Sequence, residues 1–79
     1  MMPQAPDGCQ WSVTMDGSFI ETRLLDRHGH TQAKQSEIYN YRESADLAEI
    51  AYIQAQTILM RIMAATALGD ELGCEVHWK

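Results

Sequence analysis

Basic residues are scarce in this 79-residue sequence, and their scarcity argues against one large class of partner. Six Lys and Arg stand against eleven Asp and Glu, which gives a formal net charge of −5. Direct binding of nucleic acid requires clustered Lys and Arg to neutralise phosphates, so we do not expect it here. Cysteine and proline are also rare, with two of each. Two cysteines do not make a disulfide framework, and a chain of this length supports a single domain.

Uninterrupted apolar runs are absent too. The most apolar stretch, residues 50–68, is broken by five polar side chains: Gln54, Gln56, Thr57, Arg61 and Thr66. Because a charge near the middle of a bilayer costs about 3 kcal/mol, we expect no membrane span. The N-terminal residues show neither the basic region nor the apolar core of a secretion signal. The sequence therefore predicts a cytoplasmic protein whose thiols are reduced.

The clearest local pattern is a β-hairpin near the N-terminus. Trp11, Val13 and Met15 alternate with polar residues, which is the period of two typical of a half-buried strand. Asp16-Gly17 follows at once and is a preferred dipeptide of type I′ two-residue turns. Folding about this turn places Val13 opposite Ile20. The face predicted to be buried then carries four apolar side chains: Trp11, Val13, Ile20 and Leu24.

A second turn predicts a third strand. Asp26 opens this turn, and Gly29 is placed to take the left-handed conformation of a type I turn with a bulge. The strand is expected to return from Thr31 to Tyr41. Its polar composition suits an edge strand that discourages further pairing.

A long helix follows the sheet. Ser44 suits an N-cap, and no Gly or Pro occurs from residue 45 to residue 68. We expect this helix to end at Gly69 or to run one more turn to Gly73. The predicted fold is an α+β domain in which an antiparallel sheet of three to four strands packs on one long helix, in the order β-β-β-α-β. Its parts are a flexible arm (1–8), a β-meander (9–41), the helix (44–69) and a terminal strand (74–79).

The predicted helix is apolar on two opposite sides. A wide stripe suited to packing on a sheet comprises Leu47, Ala51, Ala55, Ile58, Ile62 and Ala65. Ile53 and Met60 project on the other side, with Tyr52 and Met63 on its flank. Two interpretations stay open: the chain's own loops cover this side, or another polypeptide does, either a second copy or a protein with a basic surface. In the second case the acids at the helix ends would orient the partner: Glu49, Asp70 and Glu71.

Histidines offer the main candidates for metal or catalytic chemistry. His28 and His30 lie two residues apart in the second turn, and His77 lies near the C-terminus. A structural zinc needs four ligands and a catalytic zinc needs three plus water, which these residues do not supply together. No glycine-rich phosphate loop, G-x-S-x-G or H-E-x-x-H motif occurs. We therefore expect no cofactor, no metal and no enzymatic activity.

By its size, acidity and order of elements, the chain resembles phage-encoded anti-CRISPR proteins. This resemblance implies a non-catalytic inhibitor that occupies a surface of a bacterial immune complex, in the host cytoplasm. The same order of elements is similar to the partial RNase H fold of HicB-family antitoxins, which implies an antitoxin-like regulator. Tyr39-Asn40-Tyr41 stands where that family has a Pro-Gly loop. A small metal-binding protein or enzyme that uses His28, His30 and His77 is the third alternative.

Overall fold

The computed structural model describes residues 1–38 and 47–77. Three antiparallel strands, β1 (Gln10–Asp16), β2 (Phe19–Leu25) and β3 (Thr31–Ile38), form one sheet with β2 in the centre. One helix, α1 (Leu47–Leu72), packs on a single face of this sheet. The expected α+β class is confirmed, with the order β-β-β-α. Within the described residues, no helix combines the length and hydrophobicity needed to cross a bilayer.

Some of the predicted boundaries lie outside the described residues. These are the end of the third strand at 39–41, the helix start at 44–46 with its cap Ser44, and residues 78–79 of the terminal strand. At its other end the helix continues through Gly69 to Leu72, which is the longer of the two expected endings.

The first hairpin forms, but its predicted register is wrong by two residues, because the loop is Gly17-Ser18 and not Asp16-Gly17. The two loop residues are Gly17 and Ser18, so Val13 pairs with Thr22 and Met15 pairs with Ile20. Gly17 has a φ of +59°, the positive value that primed two-residue turns require at their first central position. The observed register forms two apolar cross-strand pairs, Trp11 with Leu24 and Met15 with Ile20. The predicted register offers one such pair, and both registers put the same residues on the same face.

The core lies between α1 and the strands β2 and β3. Its buried apolar residues come from both layers: Ile20, Leu24, Ala33, Ala51, Ala55 and Ile58. The predicted inner stripe of the helix is therefore confirmed at its centre, where alanines let the helix approach the sheet. Because α1 lies over β2 and β3, β1 is left partly uncovered. The prediction that Val13 is buried is wrong, since 44% of it is exposed.

A buried amide connects the two layers. Gln54 projects from α1 into the core with 1% of its surface exposed. The Thr22 hydroxyl donates to Gln54 Oε1 at 2.8 Å, and Gln54 Nε2 donates to the carbonyl of Ile20 and to Glu37 Oε1, both at 3.2 Å. Both ends of the amide are thus paired, which removes the cost of about 1–3 kcal/mol that an unpaired buried polar group carries.

The N-terminal arm packs on the helix side of the sheet, and its expected flexibility stays a prediction. The Trp11 indole N–H donates to the carbonyl of Pro3 at 2.7 Å, which anchors the arm to β1. Met2 packs beside Ile20, and Ala5 packs in the cluster around Leu24. The arm therefore supplies apolar cover that the helix does not provide near β1.

The C-terminal end of α1 runs beyond the sheet. Twenty-six helical residues span about 39 Å, whereas the eight residues of β3 span about 27 Å. The helix ends where the Gly73 and Cys74 amides both donate to the Gly69 carbonyl and Gly73 takes a φ of +70°. This turn sends the chain back along the helix.

The predicted fourth strand is wrong for residues 74–77, which form no strand. They return across the last turn of α1, so that Val76 lies over Gly69 instead of joining the sheet. A Cβ added at Gly69 would lie 2.7 Å from the carbonyl oxygen of Cys74. The close return of the backbone therefore requires glycine within the helix, although glycine weakens a helix by about 1 kcal/mol relative to alanine.

Ile58→Ala tests the position of the core. Ile58 is fully buried against Leu24 and Ala33, so we expect its truncation to lower the free energy of unfolding by about 2–5 kcal/mol. Ile53→Ala on the exposed side of the same helix should lower it by less than about 0.5 kcal/mol. Urea denaturation followed by circular dichroism measures both changes. Equal losses in the two variants would contradict this assignment of the buried face.

Candidate protein-binding surface

The side of α1 that faces away from the sheet exposes several large apolar side chains, with the polar Gln56 and Thr57 between them. We call it the outer helix surface and define it by Tyr52, Ile53, Met60 and Met63. The two methionines are 68% and 70% exposed, and Ile53 is 51% exposed. Tyr52 is 37% exposed and borders a hollow that Met1 of the N-terminal arm also lines. The prediction that they point away from the core is thus confirmed, whereas their binding role stays a prediction.

Helical periodicity aligns this surface. Ile53 and Met60 are seven residues apart, which is close to two turns, and Met63 follows three residues later. The run from Ile53 to Met63 covers about 15 Å of helix. This spacing is the one by which a helix contacts a second helix or lies in a groove.

Polar side chains near this surface form hydrogen bonds within the helix. The Thr57 hydroxyl donates to the carbonyl of Ile53 at 3.0 Å, and Gln56 Nε2 donates to the Tyr52 hydroxyl at 3.1 Å. Each of these bonds joins residues four apart on the same helix. Docking of a partner would therefore leave these hydrogen bonds in place and would cost less desolvation than docking on unpaired groups.

Negative charge lies at both ends of the outer helix surface. Glu49 precedes Ile53 by one turn, and Asp70 and Glu71 follow Met63 by two turns. Between Glu49 and Asp70 the sequence holds one charged residue, Arg61. At 100° per residue, Arg61 projects about 100° away from Met60 around the helix. The apolar centre is thus bounded by acids and carries no base of its own.

The two turn histidines are arranged by a structural aspartate. Arg27, His28 and Gly29 form a three-residue loop in which Gly29 has a φ of +81°, as the predicted bulge requires. Asp26 Oδ1 accepts the backbone amides of His28 and His30 at 2.8 and 2.9 Å. The imidazole rings of His28 and His30 are exposed, with centroids 6.2 Å apart. In the described part of the chain, no group of three or more His, Cys, Asp or Glu is placed to hold a metal ion.

The remaining chemical candidates lie at the C-terminal end. His77 is exposed near Glu75, and Cys74 is an exposed free thiol. An open hollow of about 590 Å³ lies between the end of α1 and the returning chain. It is lined by Ala65, Thr66, Gly69, Asp70 and residues 73–76. Its ionisable lining residues are the Cys74 thiol and the carboxylates of Asp70 and Glu75.

Asp26→Asn tests whether the Asp26 carboxylate stabilises the turn that contains His28 and His30. The His30 backbone amide lowers the pKa of Asp26, and the His28 amide, the charge of His30 and the Gln32 amide lower it further. A carboxyl group whose pKa is lower in the folded state stabilises the fold at pH values above its unfolded pKa of about 3.9. This stabilisation is lost as the pH falls through the folded pKa. We therefore expect the midpoint of thermal unfolding to fall less in Asp26→Asn than in wild type when the pH drops below about 4.

The control for this measurement is Asp7→Asn, which removes the same charge outside the turn. It should retain the acid sensitivity of the wild type. Equal acid sensitivity of Asp26→Asn and wild type in thermal melts would contradict the assignment.

Buried Gln54 is the structural residue that sequence analysis missed. It was counted as a polar interruption of an apolar run, although its position among Ala51, Ala55 and Ile58 places it on the inner stripe of the helix. A polar residue inside an apolar stripe is the signal that could have identified it.

No protein-family model matches this chain, and no curated protein or solved structure matches it significantly.

Proposed function

We propose that this chain is a non-catalytic protein-binding domain that docks through the outer helix surface. The observation that carries the proposal is the exposure of Ile53, Met60 and Met63 on the same side of α1. Large apolar patches on small proteins commonly mark interaction sites. Methionine suits such a site because its flexible, polarisable side chain adapts to the shape of a partner.

Charge distinguishes a foreign partner from a second copy at this surface. In an antiparallel pair of α1 helices centred on Met60, Glu49 of one copy would lie opposite Glu71 of the other. In a parallel pair, each acid would lie opposite its own counterpart. Like charges destabilise both arrangements, whereas Lys or Arg on a partner would be attracted to both ends. The proposed partner is therefore a protein with an apolar centre flanked by basic residues.

We propose that a small acidic domain with one such surface acts by occupying a binding site on its partner. Held against a basic site, it would exclude whatever normally binds there, including nucleic acid. This is how an inhibitor of the anti-CRISPR type works, and we propose that role within a bacterial host cell. The net charge of −5 supports a basic target.

The test is loss of binding on charge insertion into the outer helix surface. Ile53→Glu and Met60→Glu should each weaken partner binding by about thirtyfold or more, since a buried carboxylate at an interface centre costs about 2 kcal/mol or more. Ile38→Glu is the matched control, because Ile38 is 79% exposed on β3. A protein captured from bacterial lysate is purified and its dissociation constant is measured with each variant. Unchanged binding of Met60→Glu would overturn the proposal.

The acids should act on the rate of association. Glu49→Gln with Glu71→Gln should slow association severalfold at low salt and leave dissociation nearly unchanged, because exposed charges steer encounter more than they hold the complex. Stopped-flow kinetics at low and high salt measures this effect. An association rate independent of salt would contradict a basic partner.

The identity of the captured protein separates the candidate roles. A subunit of a CRISPR effector complex would support the inhibitor, and a toxin would support an antitoxin-like regulator instead.

A further inference from the structure

The two edges of the sheet differ in how they resist further pairing. The β3 edge carries Lys34 and Glu37, and the register shift opposite Leu24 and Leu25 leaves Gln32 as an extra residue on β3. Charges and bulges of this kind are what natural sheets use to protect an edge. β1 has no bulge and no charge among its first six residues. Its seven residues pair with β2 without interruption, and its single charge, Asp16, is the last residue.

The outer edge of β1 is available along its whole length in the described part of the chain. No other strand pairs with it, and the N-terminal arm bonds to β1 through the Trp11 side chain. In a hairpin with a two-residue loop, the two residues that flank the loop form a hydrogen-bonded pair. Along the strand, residues whose amides point toward the partner strand then alternate with residues whose amides point outward. The amides of Trp11, Val13 and Met15 therefore point away from β2. They form the open edge.

β1 is self-complementary about Val13. When two copies are antiparallel with Val13 facing Val13, Trp11 lies opposite Met15 and Ser12 lies opposite Thr14. Gln10 lies opposite Asp16, so no like charges meet. The apolar residues Trp11, Val13 and Met15 all share the helix side of the sheet. Such a pair would exchange about six backbone hydrogen bonds.

We propose that two copies of this chain pair through their β1 edges, with Val13 on the twofold axis, to form a continuous six-stranded sheet. The pairing covers Val13 and Met15, which are 44% and 49% exposed in the single chain although they lie on the apolar face. Both helices then lie on the same face of the sheet, over β2 and β3. Their outer helix surfaces point away from the sheet and stay accessible, so the dimer is independent of the proposed function.

Charged substitutions at Val13 test this pairing. Sedimentation equilibrium of the wild type over a concentration series should give twice the chain mass of 8.9 kDa. Val13→Lys and Val13→Glu should each raise the dimer dissociation constant by about tenfold or more, because like charges face each other on the axis. An equal mixture of the two variants should restore the dimer, since opposite charges then meet.

Ile38→Lys is the control, because it makes the same change of an exposed β-branched residue on the other edge of the sheet, and it should remain dimeric. Circular dichroism establishes that each variant is folded. A monomeric wild type would overturn the proposal whatever the variants do. A mixture of folded variants that stays monomeric, or a dimeric Val13→Lys, would overturn it as well. Met60→Glu should leave the mass unchanged, which separates this outcome from failure of the proposed function.

Discussion

The buried amide of Gln54 determines how α1 lies on the sheet, because it joins the helix to two strands at once. Its oxygen accepts from Thr22 on the central strand, and its nitrogen donates to Ile20 and to Glu37 on the edge strand. Apolar packing alone tolerates sliding and rotation, whereas a paired amide loses its partners if the helix shifts by one turn. Small alanines beside it allow the close approach that these bonds need.

The position that Gln54 imposes has consequences on both sides of the molecule. With the helix held over β2 and β3, β1 receives cover mainly from the N-terminal arm, and Val13 and Met15 remain exposed. At the other end, a helix of about 39 Å runs past a sheet of about 27 Å. The chain returns over Gly69 and leaves most of the outer side of the helix bare. The exposed apolar area is thus a result of the geometry of the core.

Two surfaces follow from this arrangement, and they differ in chemistry. The outer helix surface presents side chains, is bounded by acids and suits a basic partner. The β1 edge presents backbone groups and pairs with a copy of itself without opposing charges. A dimer formed through β1 would display two outer helix surfaces on one face, and a partner with two basic sites would bind it with greater avidity than one copy provides.

The sequence by itself determined the elements and their faces. Alternation over residues 10–16, the glycines at 17 and 29, and the long run without Gly or Pro predicted the hairpins and the helix, because these signals depend on local backbone preferences. Tertiary structure decided the rest. The hairpin register depended on cross-strand pairs such as Trp11 with Leu24, which the turn dipeptide did not specify. The burial of Gln54, the exposure of Val13 and the failure of residues 74–77 to join the sheet all depended on where the helix lies, since burial is a property of the packed layers and no local pattern encodes it.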